Sequence, residues 1–281
     1  MTPSLSPVGA LARAADYDRY LSAVFAPAAC REALFALIAF NHEIARIPEA
    51  VSEPMLGRIR LQWWREVLDA VYAGVSARRH EVAVPLADAI RACALDRAPF
   101  DALLDAREAD LESEGPADLA TLELYAAATS GSLTELMVRA SGVASGPALE
   151  AGRQIGTAWA LIGTLRAAPH AVAQGRVMLP ADLFTQAGIT ADDLQAGRGV
   201  ERFAAVAEPV AGRAAELLTK ARQARRVVPR QGRGVLLIAR LADLYRARLR
   251  RAGWDPRDPR LVASPLRKQA AMLWGSIAGL Y

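Results

Sequence analysis

Cysteine is scarce, with only Cys30 and Cys93 in 281 residues. The two lie far apart and outside any metal-ligand spacing. That excludes a disulfide scaffold and a thiolate zinc site, and leaves free thiols in a reducing compartment. Three histidines, His42, His80 and His170, are too scattered for a histidine-rich metal site. Long apolar runs are missing as well. The most apolar stretch, residues 33–40, is bounded by Arg31-Glu32 and His42-Glu43, short of the about 18 residues a membrane-spanning helix needs. The first ten residues lack a charged segment followed by a long apolar one, so no secretory signal is expected. Strand-like alternation never exceeds a few residues; residues 177–179, ahead of Pro180, come nearest. There is no repeat of 20–50 residues and no low-complexity linker.

What is present is apolar and helical. Hydrophobic residues make up 53% and charged residues 23%, enough for a sizeable core and against wholesale disorder. Apolar residues recur near every 3.6 positions over residues 30–46, which Pro27 precedes and Pro48 ends. Further helices are expected over residues 57–72, 85–94, 99–111, 119–140, 147–165, 200–226 and 232–252, with Gly74, Gly115-Pro116 and similar breakers between them. These breakers separate helices and do not define domains, so residues 1–281 read as one all-α domain, with residues 1–15 flexible.

Charge is uneven. The net charge is +4, but residues 213–268 hold 16 Arg and Lys against 4 Asp and Glu, leaving the remainder of the chain at −8. This fits either an anionic partner or an arginine-rich solvated helix face. No nucleic-acid motif accompanies the basic stretch, and Pro229, Pro256 and Pro259 interrupt it, so no nucleic-acid partner is expected.

Six blocks occur in an order that resembles the squalene/phytoene synthase family. They are CREALFALIAFN (30–41), RLQWWREVLDAVY (60–72), FDALLDAREADL (100–111), LYAAATSGSLTELM (124–137), residues 154–189 with their LR…GRVMLP core, and YRARLRRAGWDP (245–256). The resemblance spans residues 20–274. It implies an isoprenoid synthase-like helical bundle around a central cavity, where two Asp-rich motifs on facing helices hold magnesium against the diphosphates of prenyl substrates. A departing diphosphate needs a Lewis acid, magnesium needs converging oxygen ligands, and a carbocation needs apolar walls.

The chain departs from that pattern at both motifs. The first places Ala45, Arg46 and Glu49 where D-D-x-x-D is expected, and the second places Ala167, His170 and Ala171 at its three acidic positions. Glu49 alone is acidic. The expectation is a protein without prenyl-transfer chemistry and without a metal or other cofactor; magnesium enters only under the alternative of a prenyl transferase with an altered metal site. Asp105, Glu108 and Asp110 remain as a candidate residual site, with Asp105 and Glu108 on one helical face. The family carries an acidic position matching Asp110 and an arginine matching Arg166. Tyr245, Arg246, Arg267 and Lys268 fall in the region that supplies phosphate-side contacts in the family. With Arg166 and Arg46 they are candidates for metal-free anion binding, or for neutralising the remaining acids. Of the adjacent Trp63 and Trp64, pointing about 100° apart on a helix, one is expected in the core and the other on a cavity or partner surface.

One branch of the family is more similar than its enzymes, the branch that includes the mitochondrial respiratory complex I assembly factor with a squalene/phytoene synthase-like domain. The shared features are Asn41, Glu43, Val51-Ser52-Glu53, Gln62, Trp64 and the stretch Leu165-Arg166-Ala167-Ala168-Pro169. The resemblance implies complex I subunits or assembly intermediates as partners, or an isoprenoid or lipid ligand. The Ala-, Arg- and Gly-rich composition fits a bacterial, cytoplasmic chain, with peripheral contact to the inner membrane left open.

Overall fold

A computed structural model describes residues 5–76, 78–112 and 115–281, and every regular element among them is helical. The helices are α1 (Pro7–Ala15), α2 (Tyr17–Val24), α3 (Arg31–Ala45), α4 (Pro54–Tyr72), α5 (Ala83–Cys93), α6 (Ala98–Glu108), α7 (Leu119–Ala126), α8 (Ser132–Ala140), α9 (Gly146–Ala173), α10 (Ala181–Ala187), α11 (Ala191–Ala196), α12 (Val200–Gln223), α13 (Arg230–Leu236), α14 (Ile238–Arg251) and α15 (Pro265–Ile277).

Two helices form the centre. In α3 every residue from Leu34 to Phe40 is buried, so this helix is apolar around its circumference and must be enclosed on all sides. It packs against α1, α5 and α8. Helix α9 packs against α8, α12 and α14, and its small residues allow the close approach. A Cβ on Gly156 would lie 2.2 Å from the Ser130 carbonyl oxygen, and one on Gly152 would lie 2.9 Å from Val138 Cγ2. Phe40 sits edge-on to both Trp64 and Phe100, at centroid distances of 5.1 and 5.6 Å, a preferred aromatic geometry that joins α3 to α4 and α6.

Several expectations need correction. Residues 7–15 are not a flexible leader: Ser6 caps α1 by accepting from the Gly9 amide, and Val8 and Ala12 are buried where α1 packs on α3. The helix expected to stop at Leu165 runs to Ala173 with Pro169 inside it. Pro169 forfeits one backbone hydrogen bond, and burial of Ala168 and Val172 on either side holds the helix in place. The stretch expected as one helix over 119–140 is divided by a π-helical turn, Ala127–Gly131, a wide turn frequent at functional sites. Helix α3 does end before Pro48, at Ala45.

Candidate functional site

A cavity of about 320 Å³ opens between α3, the π turn and α9. Ala45 and Asn41 reach it from α3, and Gly163, Thr164, Ala167 and Ala171 reach it from α9. Three of the positions expected to carry motif acids therefore meet at one site, and each is an alanine. Trp159 and Ala160 add apolar wall.

The polar side of the cavity is built around Asp110, whose side chain is 3% exposed. It lies in a short 3₁₀ turn, Ala109–Leu111, that follows α6. Arg107 Nη1 donates to its Oδ2 at 2.9 Å, and Arg176 Nη2 stands 3.3 Å from Oδ1. The Tyr125 hydroxyl accepts from Arg107 at 2.7 Å and donates to Asp110 at 2.8 Å. Burial pushes the Tyr125 phenol well above its ordinary range against the pull of Arg107, so it stays protonated and can donate. Burial works against the Arg107 charge, but Tyr125 and Asp110 outweigh it and hold the guanidinium pKa above its usual value. On the opposite rim Arg19 pairs with Asp16 at 2.7 Å and donates to Ser130 Oγ at 2.6 Å. Ser130 in turn donates to the Gly156 carbonyl at 2.6 Å. Three guanidinium groups thus face the cavity with one lining carboxylate, Asp110.

These donors do not fit a magnesium cluster. Magnesium binds through several convergent oxygens, whereas Asp110 is already engaged by two arginines and a tyrosine. Among the described residues no group of three or more His, Cys, Asp and Glu could hold a metal ion. The arrangement can instead retain an anion through charge-assisted hydrogen bonds.

The other candidates lie elsewhere. Asp105 and Glu108 are turned outward and bind Arg65 at 2.7 and 3.0 Å, so the expected trio of acids is split by the fold. Glu49 is exposed in a 3₁₀ turn, Ile47–Glu49. Arg46 caps the end of α3 and lines a separate groove of about 380 Å³ with Arg60, Trp63, Trp64 and His80. Trp64 is the core member of its pair and is 4% exposed; Trp63 stacks obliquely on His80 at 5.1 Å. His170 is paired on the surface with Gln174 at 3.2 Å.

The expected anion-binding set is not assembled as one site. Arg166 stacks on the Tyr245 ring, 3.4 Å from its centroid. Tyr245 is buried and donates to Asp18 at 3.3 Å, and Lys268 pairs with the same carboxylate at 2.7 Å. Burial disfavours the Lys268 charge, but the hydrogen bonds to Asp18 and Tyr245 outweigh it and raise the ammonium pKa. This network joins α2, α9, α14 and α15. Arg246 is half-buried with an unpartnered Nε, and Arg267 is exposed beside other arginines near the start of α15.

Sequence reasoning missed Arg19, Arg107, Tyr125 and Arg176. A buried acid must be paired, so expecting Asp110 inside the cavity would have prompted a search for its cations.

Residues 12–267 match the family model described as squalene/phytoene synthase. The chain is 30% identical over 251 residues to mouse NADH dehydrogenase (ubiquinone) complex I, assembly factor 6, covering 89% of this chain and 75% of that protein. It is also 30% identical over 220 residues to presqualene diphosphate synthase of Rhodopseudomonas palustris, covering 76% and 75%. The fold is that of squalene synthase HpnC from Alicyclobacillus acidocaldarius, with a TM-score of 0.76 at 21% identity over 89% of this chain and 94% of that one. A dehydrosqualene synthase solved with ligand gives a TM-score of 0.79 at 17% identity, over 96% and 94%.

Proposed function

Since the chain belongs to the squalene/phytoene synthase family, we propose that it is a member without prenyl-transfer chemistry that serves in assembly of respiratory complex I. One observation carries the first half: Ala45, Ala167 and Ala171 line the cavity from α3 and α9, where the chemistry of diphosphate departure calls for metal-binding carboxylates. No magnesium or other cofactor is required on this reading. The second half rests on similarity to complex I assembly factor 6 across most of the chain. Its partners are complex I subunits or assembly intermediates.

A second reading, a prenyl transferase with an altered site, is favoured by the similarity to a presqualene diphosphate synthase and by the positive excess of Arg19, Arg107 and Arg176 in the cavity. Arginines can hold a diphosphate through bidentate hydrogen bonds. They do not supply the Lewis acid that its departure calls for.

The assembly role is tested by deleting the gene in the source organism and resolving membrane complexes on native gels. Loss of assembled NADH dehydrogenase, restored by the wild-type gene, is expected. An unchanged level would contradict the role.

A further inference from the structure

Helix α15 has two apolar faces, and only one has a partner within the fold. Met272 and Gly275 are buried, and the contact is tight: a Cβ on Gly275 would lie 2.8 Å from the Leu280 carbonyl oxygen. At about 100° per residue, positions 266, 270, 273 and 277 fall within about 60° of one another on the opposite side, with position 274 beside them. Those positions are Leu266, Ala270, Leu273, Ile277 and Trp274, all exposed. Leu266 is 76%, Trp274 64% and Ile277 74% exposed, and Val262, just ahead of the helix, is 79% exposed. A soluble surface normally shows apolar residues singly; a continuous stripe marks a contact surface.

The same end of the helix is strongly basic. Arg248, Arg251, Arg260 and Arg267 line a cavity of about 480 Å³ together with Val262 and Ser264. Arg248 is buried and donates to the carbonyls of Arg260 and Val262, which pins the segment that presents Arg260 between Arg251 at the end of α14 and Arg267 in α15. Arg260 is paired with Asp258. Among the described residues neither Arg251 nor Arg267 has an acidic partner. Arg267 and Trp274 are seven residues apart and so share one line of the helix surface. Arg267 therefore borders the apolar stripe on its Trp274 side, and the shared cavity sets Arg251 and Arg260 beside it.

We infer that this face is a docking surface for an anionic phospholipid bilayer, with Arg251, Arg260 and Arg267 at the headgroup phosphates and Leu266, Leu273, Trp274 and Ile277 in the acyl boundary. An amphipathic helix with basic residues beside Trp, Leu and Ile is built to lie in that interface, and Trp is favoured at the headgroup level. No described helix is long and apolar enough to cross a membrane, so the contact is peripheral. A second copy or another protein fits less well: five exposed apolar side chains on one short helix, with Val262 ahead of it, fall far below the roughly 20–30 residues per side of a stable protein interface. The inference stands apart from the assembly role, and its failure would leave that role untouched.

The test is flotation of the purified full-length chain with vesicles of phosphatidylcholine alone or containing phosphatidylglycerol. Binding to the anionic vesicles, weakened by salt, is expected. R251E/R260E/R267E should lower the partition coefficient by roughly a hundredfold or more, at about fivefold per lost cation. L266E/L273E/I277E should abolish binding with the thermal midpoint unchanged. Brominated lipids should quench wild-type fluorescence, and W274F should lose that quenching, a readout that does not rely on the charge variants folding. The inference is overturned by no binding, by equal binding to neutral vesicles, by quenching that survives W274F, or by self-association in solution that L273E disrupts, which would assign the face to a second copy.

Discussion

Asp105 and Asp110 stand five residues apart, yet the fold gives them opposite work. Asp105 projects outward beside Glu108, is 68% exposed and shares Arg65 in solvent. Asp110 turns inward and is enclosed by Arg107, Arg176 and Tyr125. An exposed ion pair contributes little because water and salt compete for it. A buried carboxylate must be matched, since removing one partner strands the other charges. The carboxylate that could have served a metal is therefore occupied by the chain's own cations, and Asp105 and Glu108 lie outside the cavity, paired with Arg65.

That contrast can be broken by substitution. D110N should have the largest effect, about 3–5 kcal/mol of unfolding free energy, because it leaves the largely enclosed Arg107 and the half-buried Arg176 without their countercharge; urea denaturation measures it. Y125F should cost about 1–3 kcal/mol in the same assay, through the lost hydrogen bonds to Arg107 and Asp110. Alkaline titration sharpens the comparison further. The Tyr125 phenol is raised above its ordinary value of 10.0, chiefly by burial. In the unfolded chain the phenol loses its proton first, so the stability it contributes is intact below pH 10.0 and declines as the pH rises beyond it. Y125F should flatten that decline only in part, because Tyr72, pushed up to about 12 by burial, acts in the same direction. D105N and E108Q should each change stability by about 1 kcal/mol or less.

Much of the fold was legible from the sequence because its signals are local. Apolar periodicity located α3, α4 and α6, and Pro48 marked the end of α3. Proline misled at position 169, where neighbouring burial outweighs one lost hydrogen bond. The cavity's alanines were legible through the order of the family blocks. Its charged side was not, because Arg176 lies 66 positions from Asp110 and Arg19 lies 91 positions away, and no local pattern brings them together. Asp105, Glu108 and Asp110 read as one candidate site in the sequence, and which of them faces inward is set by the packing of α6 and of the 3₁₀ turn that follows it. Similarly, no helix is expected from the sequence over residues 265–277, and only the packed structure shows that α15 forms there and which of its faces is left uncovered.

On the function proposed above, the alanine-lined cavity performs no metal-assisted prenyl transfer. Calorimetric titration of the purified chain with farnesyl diphosphate, with and without magnesium, tests it most directly when paired with a measurement of released inorganic diphosphate. The account predicts no magnesium-dependent heat and no release; magnesium-dependent binding with release of diphosphate would contradict it.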